Sequence, residues 1–348
     1  MKVVVAGSGI AGVVAALRAR ALGNEVVLVG SGRSASSRSL GVVDVLGYVK
    51  GGEVGNPEEG IRVLSEDCEE HPYALLGVEM VRQALEFFKE AVAAAGVPFM
   101  GRTTENIHIA TQFGTVKPTC LAPEGVYAGR VERWHRRAVG IAGEEERNFS
   151  PRFVAESLSW LLPKLGVALP ERIEAGDEGD IVLRPMRQGG TEAALPLLGD
   201  GEFVVKRLLE HAAALGVSVV EDRIRGARIE DGEVRAFVGT QSYTGDAFVL
   251  ATGDWTGGGM HAFREAVLGL ELVERSAEHF KKLPLPEEGH PYSRLGVRTD
   301  GGLNPFYRGK KISNLRVAGA LLGGYDYCTE KSGWGVAIAT GYVAGGVR

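Results

Sequence analysis

Residues 2–12 read Lys2-Val-Val-Val-Ala-Gly7-Ser-Gly9-Ile-Ala-Gly12, an apolar strand followed by the glycine pattern of a nucleotide-binding turn. A helical stretch, Val13 to Leu22, and a second β-branched run, Glu25 to Val29, follow. This spacing of strand, G-x-G-x-x-G turn, helix and strand is the context in which the motif indicates dinucleotide or flavin binding. The three glycines would permit, in order, the tight turn, the approach of backbone to phosphate and the packing of helix on strand. The alternative is a turn that binds nothing.

The residue that usually holds a ribose is missing from this unit. Dinucleotide-binding units place an acid about 20 residues after the glycine turn, where it binds a ribose hydroxyl. This sequence has Gly30 at that place. Either the ribose is held in another way or the ligand carries no adenosine.

A second stretch of the same fold type precedes residue 255. Ala247-Phe-Val-Leu-Ala-Thr252-Gly253-Asp254 reads as a buried strand that ends in a turn. Before it come an amphipathic helix from Phe203 to Leu215, a short strand from Val217 to Val220 and a hairpin from Arg223 to Val238 that turns at Asp231-Gly232. This order resembles the second half of the large flavoprotein class rather than a pure NAD dehydrogenase.

A third stretch lies near the C-terminus. A strand from Asn314 to Val317 enters a glycine turn at Gly319, and Ser332-Gly333-Trp334-Gly335 opens an apolar helix from Val336 to Ala344. In flavoproteins of this arrangement the positive end of such a helix faces the pyrimidine side of the isoalloxazine and stabilises the negative charge of the reduced ring. The alternative is a glycine-rich helix that merely packs on a sheet.

Composition narrows the function classes. The 348 residues are 45% apolar and 24% charged, with 50 glycines, which excludes a disordered or collagen-like chain. The net charge of −5 makes nucleic acid an unexpected partner. Three separated cysteines, Cys68, Cys120 and Cys328, form no disulfide framework or metal motif, so we expect no metal site and a cytoplasmic location. The apolar stretch Val3 to Leu17 lacks a signal-peptide cleavage pattern and is too short to span a bilayer.

Several distinct short motifs are spread along most of the chain. Beyond the first glycine turn they are Ser34-Ala35 with Ser39, Gly41 and Asp44; His71-Pro-Tyr-Ala-Leu-Leu-Gly77; Gly114-Thr115 with Thr119-Cys-Leu121; Val267-Leu-Gly-Leu270; Gly296-Val-Arg-Thr-Asp300 with Leu303-Asn-Pro305; and Leu322-Gly-Gly-Tyr-Asp326 with Gly333-Trp-Gly335-Val336. In this order they resemble the B-subunit family of anaerobic glycerol-3-phosphate dehydrogenase. The His-Pro-Tyr and Leu-Gly-Gly-Tyr-Asp motifs are the most specific of them.

The resemblance implies a flavin subunit of a respiratory enzyme that oxidises sn-glycerol 3-phosphate to dihydroxyacetone phosphate and passes electrons to quinone. It implies two partners, a catalytic A subunit with FAD and a C subunit with iron–sulfur clusters, and contact with the inner face of the cell membrane only through a partner. It also implies FMN in this chain, with FAD as the alternative, and an electron-relay role. Gly30 suits a cofactor without adenosine.

The chain departs from the family pattern in three places. The middle, roughly Ala138 to Gly201, is shorter than expected, Ser332 stands where cysteine is usual, and Trp334 stands where glycine is usual. A bulky indole beside a flavin would change access to the ring or stacking on it.

The residues that we expect to bind the cofactor come from these glycine turns and from the segment after the second strand. They are Gly7, Gly9, Gly12, Ser39, Asp44, Thr252, Gly253, Gly319, Gly333, Trp334 and Gly335. We name no catalytic residue, since the sequence shows no triad or paired-carboxylate pattern and the chemistry then rests on the cofactor.

Four side chains, Asp44 of the list above among them, are candidates with open roles. Asp44 lies in an apolar run after the serine-rich loop 34–39, whose hydroxyl and N–H groups could hold either the Asp44 carboxylate or a ligand phosphate. Lys117 could contact a flavin carbonyl or phosphate, and Arg298 could stabilise reduced flavin or bind an anionic substrate. His71 precedes a proline, which favours a helix start over a flavin or partner contact.

The predicted fold class is α/β, a Rossmann-like flavoprotein fold with an inserted α/β cap domain. We expect a discontinuous flavin-binding domain, residues 1–75 and 202–348, and a cap, residues 76–201. Within the cap we expect a helix from Leu76 to Ala95, strands between Ile107 and Val131, and a helix from Pro151 to Leu165.

Two other functions remain open from the sequence. The first is a stand-alone flavin oxidoreductase that resembles fumarate reductases, favoured by the Gly296-Val-Arg-Thr-Asp-Gly-Gly302 segment and by Trp334. The second is a flavin-free scaffold subunit that keeps the fold for docking.

Overall fold

The computed structural model describes residues 1–32, 34–167, 169–186, 192–273 and 291–347. The helices of these residues are α1 (Ile10–Ala21), α2 (Pro57–Asp67), α3 (Pro72–Leu76), α4 (Val78–Ala94), α5 (Glu124–Ala128), α6 (Pro151–Leu165), α7 (Asp200–Ala214), α8 (Tyr327–Glu330) and α9 (Gly333–Gly345).

The strands lie before and between these helices along the chain, several of them in succession. They are β1 (Lys2–Ala6), β2 (Glu25–Gly30), β3 (Tyr48–Val49), β4 (Gly52–Glu53), β5 (Phe99–Gly101), β6 (Ile107–Ala110), β7 (Val116–Thr119), β8 (Leu121–Pro123), β9 (Ala138–Ile141), β10 (Arg172–Ala175), β11 (Ile181–Pro185), β12 (Ala194–Leu195), β13 (Ser218–Glu221), β14 (Gly226–Glu230), β15 (Glu233–Val238), β16 (Ser242–Thr244), β17 (Ala247–Leu250), β18 (Met260–His261), β19 (Arg264–Glu265), β20 (Phe306–Tyr307), β21 (Lys310–Lys311) and β22 (Leu315–Val317).

A five-stranded parallel sheet forms the centre of the molecule, in the order β13-β2-β1-β17-β22. Its central strand is β1, in which Val3 pairs with Val26 of β2 and with Ala247 of β17. The chain leaves β1 toward β2 on one side and returns later to β17 on the other. The loops after β1 and β17 therefore lie side by side at the carboxyl edge, the switch point at which open α/β sheets bind ligands. The predicted α/β, Rossmann-like fold class is confirmed.

Apolar runs explain why these strands are central. Val3, Val4 and Val5 are fully buried, and strands covered on both faces need such continuous apolar sequence. Helix α1 packs on the sheet and against α9 at close range: a Cβ on Gly341 would lie 2.4 Å from the Ala11 carbonyl oxygen. Only small residues allow two helix backbones to approach so closely.

Residues that lie between β2 and β13 along the chain form a second body. It has a four-stranded parallel sheet, β10-β9-β11-β12, with α6 beside it and its own apolar core around Trp134, Ile141 and Leu158. The hairpin of β6 and β7 contacts this body through Ala110 and Val116, and its Ile107 and Ile109 pack with Val42 in a third apolar cluster.

The division of the chain into a flavin-binding domain and a cap stays a prediction. Helix α4, predicted inside the cap, packs its buried face on the main core through Leu85 and Phe88. On this packing we propose that the cap begins after Ala95. In the part of the chain that is described, no helix has both the length and the apolar composition needed to cross a membrane.

Candidate functional site

A cavity of about 550 Å³ opens at the carboxyl edge of the main sheet. Its walls come from the β1–α1 turn, the segment after β17, the loop 34–44, the turn at Gly319 and the first turn of α9. This volume lies within the usual range of small-molecule sites. The three glycine turns predicted from the sequence therefore meet around one space.

The turn between β1 and α1 has the geometry that its glycines predict. Gly7 adopts a φ of +115°, and a Cβ there would lie 2.1 Å from the carbonyl oxygen of Ala251, so the loops after β1 and β17 touch through their backbones. A Cβ on Gly12 would lie 1.8 Å from the Gly7 carbonyl oxygen. Gly12 is thus a packing residue and lies outside the described cavity lining, whereas Gly9 lines the cavity.

The first turn of α9 forms the opposite wall. Gly333 and Trp334 line the cavity, and no acidic residue lies in this first turn. The Gly335 N–H donates to the carbonyl oxygen of Asp44 at 2.9 Å. A Cβ on Gly335 would lie 2.3 Å from the Tyr73 hydroxyl, so Gly335 allows close packing and, like Gly12, is not among the described lining residues.

The partners of Asp44 come from outside the serine-rich loop. Its Oδ1 accepts a hydrogen bond from Thr119 Oγ1 at 2.5 Å, and its Oδ2 pairs with Lys117 Nζ. Both partners lie on β7, so the hairpin of the second body fixes this carboxylate. Of the two groups that the serine loop could hold, it does not hold the Asp44 carboxylate, because the hydroxyls of that loop bond within the loop and to the start of α1.

The serines of loop 34–39 instead order the loop and the start of α1. Ser34 Oγ lies 3.0 Å from Ser37 Oγ, and Ser39 Oγ donates to the Ser36 carbonyl oxygen at 2.7 Å. The Ile10 N–H at the start of α1 donates to Ser36 Oγ at 3.3 Å. Ser34, Ser36 and Ser39 all line the cavity beside the positive end of α1, where an anionic group is favoured.

Among the described residues of the cavity wall, three buried polar atoms have no hydrogen-bond partner. They are Thr252 Oγ1, Tyr325 Oη and Trp334 Nε1. Tyr325 is 2% exposed and Trp334 is 8% exposed, so water does not readily satisfy them. An isoalloxazine, with ring nitrogens and two carbonyl oxygens, offers acceptors for such donors. The residues present therefore fit a flavin.

Tyr327 and Asp254 brace the loop after β17. The Tyr327 hydroxyl donates to Asp254 Oδ2 at 2.7 Å, and Asp254 Oδ1 accepts from the N–H and hydroxyl of Thr256 at 2.8 and 2.6 Å. Burial, and then the Asp254 carboxylate, raises the pKa of Tyr327. This phenol is therefore neutral at physiological pH and acts as a hydrogen-bond donor.

Most of the predicted cofactor-binding residues surround the cavity. Nine of them line it: Gly7, Gly9, Ser39, Asp44, Thr252, Gly253, Gly319, Gly333 and Trp334. Their contact with a cofactor stays a prediction. Lys117, whose role the sequence leaves open, lines the cavity as well.

Several lining residues are not among those that the sequence predicts. They include Tyr325, Tyr327 and Lys331. The Leu322-Gly-Gly-Tyr-Asp326 motif is the available signal for Tyr325, but from the sequence it indicates only the family resemblance. Nothing local in the sequence marks the other two.

The two remaining candidates lie elsewhere. The side chain of Arg298 is 53% exposed, stacks on Phe306, and is not among the described lining residues. His71 caps helix α3, as expected: its Nδ1 accepts from the Tyr73 N–H at 2.9 Å, and its Nε2 lies 3.2 Å from Glu330 Oε2. His71 is fully buried beside Tyr325, and the two rings pack edge to face.

Comparison with known proteins agrees with this geometry. Residues 2–279 match the family model of an FAD binding domain. A protein of Halobacterium salinarum, named as a probable B subunit of anaerobic glycerol-3-phosphate dehydrogenase, is 30% identical over 99% of this chain and 96% of the relative. The chain belongs to the B-subunit family of anaerobic glycerol-3-phosphate dehydrogenase.

Other members and a solved structure are also similar. A B subunit of Vibrio cholerae is 29% identical over 98% of this chain and 95% of the relative. That alignment spans 413 positions against 348 residues here, so the B-subunit relative carries residues that this chain lacks. The open conformation of a flavocytochrome c3 fumarate reductase is 13% identical, covers 99% of this chain and 77% of its own, and superposes with a TM-score of 0.49.

Membership in the B-subunit family makes this chain a flavin-binding subunit of a dehydrogenase, and the resemblance drawn from the motifs is confirmed. The preference for FMN finds no support, because the matching family model is that of an FAD binding domain.

Proposed function

We propose that this chain carries the flavin through which electrons from glycerol 3-phosphate oxidation pass toward iron–sulfur clusters and quinone. Conversion of the secondary alcohol to a ketone releases two electrons and two protons. A flavin can accept the electrons as a pair and release them singly, which a one-electron cluster requires. The observation that carries the proposal is the cavity in which three glycine turns and three unpartnered polar side-chain atoms converge.

The cavity lining supports relay rather than attack on the substrate. Hydride removal from an alcohol needs a base that takes the hydroxyl proton. No histidine is among the described residues that line the cavity, and the three lining carboxylates, Asp44, Asp222 and Asp254, all accept hydrogen bonds from protein donors. The described lining thus offers donors and backbone to a cofactor, and no histidine or carboxylate in it is free to act as the base for an alcohol.

We infer that the flavin is FAD. The cavity continues along the carboxyl edge of the sheet past β1 to the ends of β2 and β13, where residues 29–31 and 222–224 line it. In Rossmann-like folds this side receives the adenosine half of a dinucleotide. The matched FAD binding domain supports the same choice.

Gly30 is the observation that favours FMN instead. It leaves the ribose without the usual acid, and the space beside it is filled by the Ser8 side chain. Heat release of the chromophore followed by phosphodiesterase separates the two cofactors. AMP is expected from FAD, and flavin without AMP would mean FMN and overturn the choice.

The partners that we propose are an A subunit that oxidises the substrate and a C subunit that bears iron–sulfur clusters and contacts the membrane. The names of the relatives identify a subunit of a larger enzyme. Any membrane contact of this chain would then be indirect.

Electron transfer through the assembled complex tests the proposal. Dye or quinone reduction by glycerol 3-phosphate should be compared for the complex with flavin-loaded chain, with the same chain stripped of flavin, and with the chain omitted. We expect activity only with the loaded chain. An equal rate with the stripped chain would indicate a scaffold, and an equal rate without the chain would exclude a relay.

The isolated, flavin-loaded chain tests the stand-alone alternative. The relay proposal expects no bleaching of the flavin by glycerol 3-phosphate or by dicarboxylates when the partners are absent. Substrate-dependent bleaching would favour a self-sufficient oxidoreductase.

A further inference from the structure

A partly buried ion pair lies beside the start of helix α9. The Lys117 and Asp44 side chains are 16% and 18% exposed, and both line the cavity. The Asp44 carbonyl oxygen accepts the Gly335 N–H at 2.9 Å, so the pair is tied to the first turn of α9. A partly buried cation thus pairs with a residue that contacts the start of a helix.

The surroundings of Lys117 are rich in hydrogen-bond donors. An ammonium group has three N–H bonds, and the contact with Asp44 uses one of them. Tyr325 and Trp334 line the same cavity, and the hydroxyl of the first and the indole N–H of the second are buried and without partners among the described residues. No acidic residue in the first turn of α9 offsets them. This wall therefore suits a group that gains negative charge.

We propose that Lys117 is the cation that stabilises the negative charge of the reduced flavin in this chain, and that Asp44 positions it. The inference rests on the proposed flavin site and assigns a role within it. Lys117 donates to the pyrimidine end of the ring, where negative charge develops on reduction. Asp44 orients Lys117 with the help of Thr119, while its own charge opposes the effect on the flavin.

Opposite charges near the ring predict shifts of opposite sign. Lys117→Gln removes the cation and should lower the midpoint potential of the bound flavin. Asp44→Asn removes the opposing anion and should raise it. A merely structural role of the pair would disturb flavin binding in both variants without such a reversal.

The midpoint potential can be measured on the full-length, flavin-loaded chain by equilibration with a reference dye. We expect the equilibrium constant between dye and flavin to change roughly tenfold or more in Lys117→Gln, the usual size of a charge-assisted hydrogen bond. Lys117→Arg keeps the charge and should recover most of the loss. Lys89→Gln is the matched control, since Lys89 is outside the described cavity lining, and should leave the potential unchanged.

The outcomes separate this inference from the proposed function. A wild-type chain that binds no flavin would overturn the proposed function. A wild-type chain with flavin and variants whose potentials are unchanged, or move in the same direction, would overturn the role of Lys117. If Lys117→Gln loses its flavin, the other two variants decide. A raised potential in Asp44→Asn and a near-normal potential in Lys117→Arg support the inference. An unchanged or lowered potential in Asp44→Asn contradicts it.

Discussion

Position 30 is where a small added group should destabilise the main sheet, through Ser8. A Cβ there would lie 2.2 Å from Ser8 Oγ, 2.4 Å from Ser8 Cβ and 2.9 Å from Ser8 N. The hydroxyl can rotate away, but the other two atoms are fixed by the β1–α1 turn. We expect Gly30→Ala to lower the free energy of unfolding by about 1–3 kcal/mol, the usual cost of overpacking.

Removing the Ser8 side chain should relieve part of this cost. Of the three nearest contacts, Ser8→Gly leaves only the 2.9 Å one with the backbone nitrogen. The alanine at position 30 should then cost about 1 kcal/mol less than in the wild type, because the effects of residues in contact are not additive.

Denaturant unfolding of the two single variants, the double variant and the wild type measures this coupling. Gly55→Ala is the matched control, since nothing lies within 4 Å of a Cβ there, and should not destabilise. Equal costs of Gly30→Ala in both backgrounds would refute the steric explanation, as would a Gly30→Ala variant as stable as the wild type.

Three further predictions concern single side chains. Tyr325→Phe removes a hydroxyl that has no partner among the described residues. The variant should leave the stability of the flavin-free chain unchanged but weaken flavin binding about two- to tenfold in a fluorescence titration. An equal affinity would show that the hydroxyl does not contact the flavin. Glu265 is 1% exposed and its carboxylate accepts hydrogen bonds from the N–H groups of residues 267–270. Glu265→Ala should therefore lower the free energy of unfolding by at least about 2 kcal/mol in denaturant unfolding. A smaller loss would mean that those N–H groups find other acceptors. His108 forms hydrogen bonds with Glu132 and Glu53. The bond with Glu132 raises the pKa of His108 by more than burial lowers it, and together with the bond to Glu53 it brings the pKa to about 9. This stabilisation should be complete below about pH 6.5 and be lost as the pH rises through 9, so His108→Gln should flatten the pH dependence of stability there; a slope equal to that of the wild type would contradict it.

The main sheet could be predicted from the sequence because its elements are apolar runs that end in glycine. The sequence predicts a helix from Val13 to Leu22, and α1 spans Ile10–Ala21. The last helix, predicted from Val336, begins at Gly333. Glycine and tryptophan are weak helix formers, so its first turn carries no local signal and is set by tertiary packing.

The second body could be predicted only in part. The sequence predicts the helix from Pro151 to Leu165 with the same bounds as α6, since its apolar residues recur at helical spacing. It does not predict the parallel sheet beside that helix. The strands of this sheet are short, and β10 is largely exposed at the sheet edge, so pairing with β9 rather than local pattern makes it a strand.

The site could be predicted where backbone geometry forms it and not where distant side chains meet. The glycine turns have strong local patterns, and they converge as expected. The partners of Asp44 lie more than seventy residues away on β7, and one sequence shows only that a buried acid needs partners. The neighbouring serines are the candidates closest along the chain, but their hydroxyls are used by their own loop and by α1.

The close packing of α1 on α9 bears on the order of events during synthesis. The β1–α1 unit emerges from the ribosome more than three hundred residues before α9, the helix that covers it and forms one wall of the cavity. Until α9 is made, the part of α1 that packs on α9 has no partner and the cavity lacks one of its walls. We therefore expect the complete cavity to form only after translation of α9, so that the nascent β1–α1 unit exposes apolar surface until then.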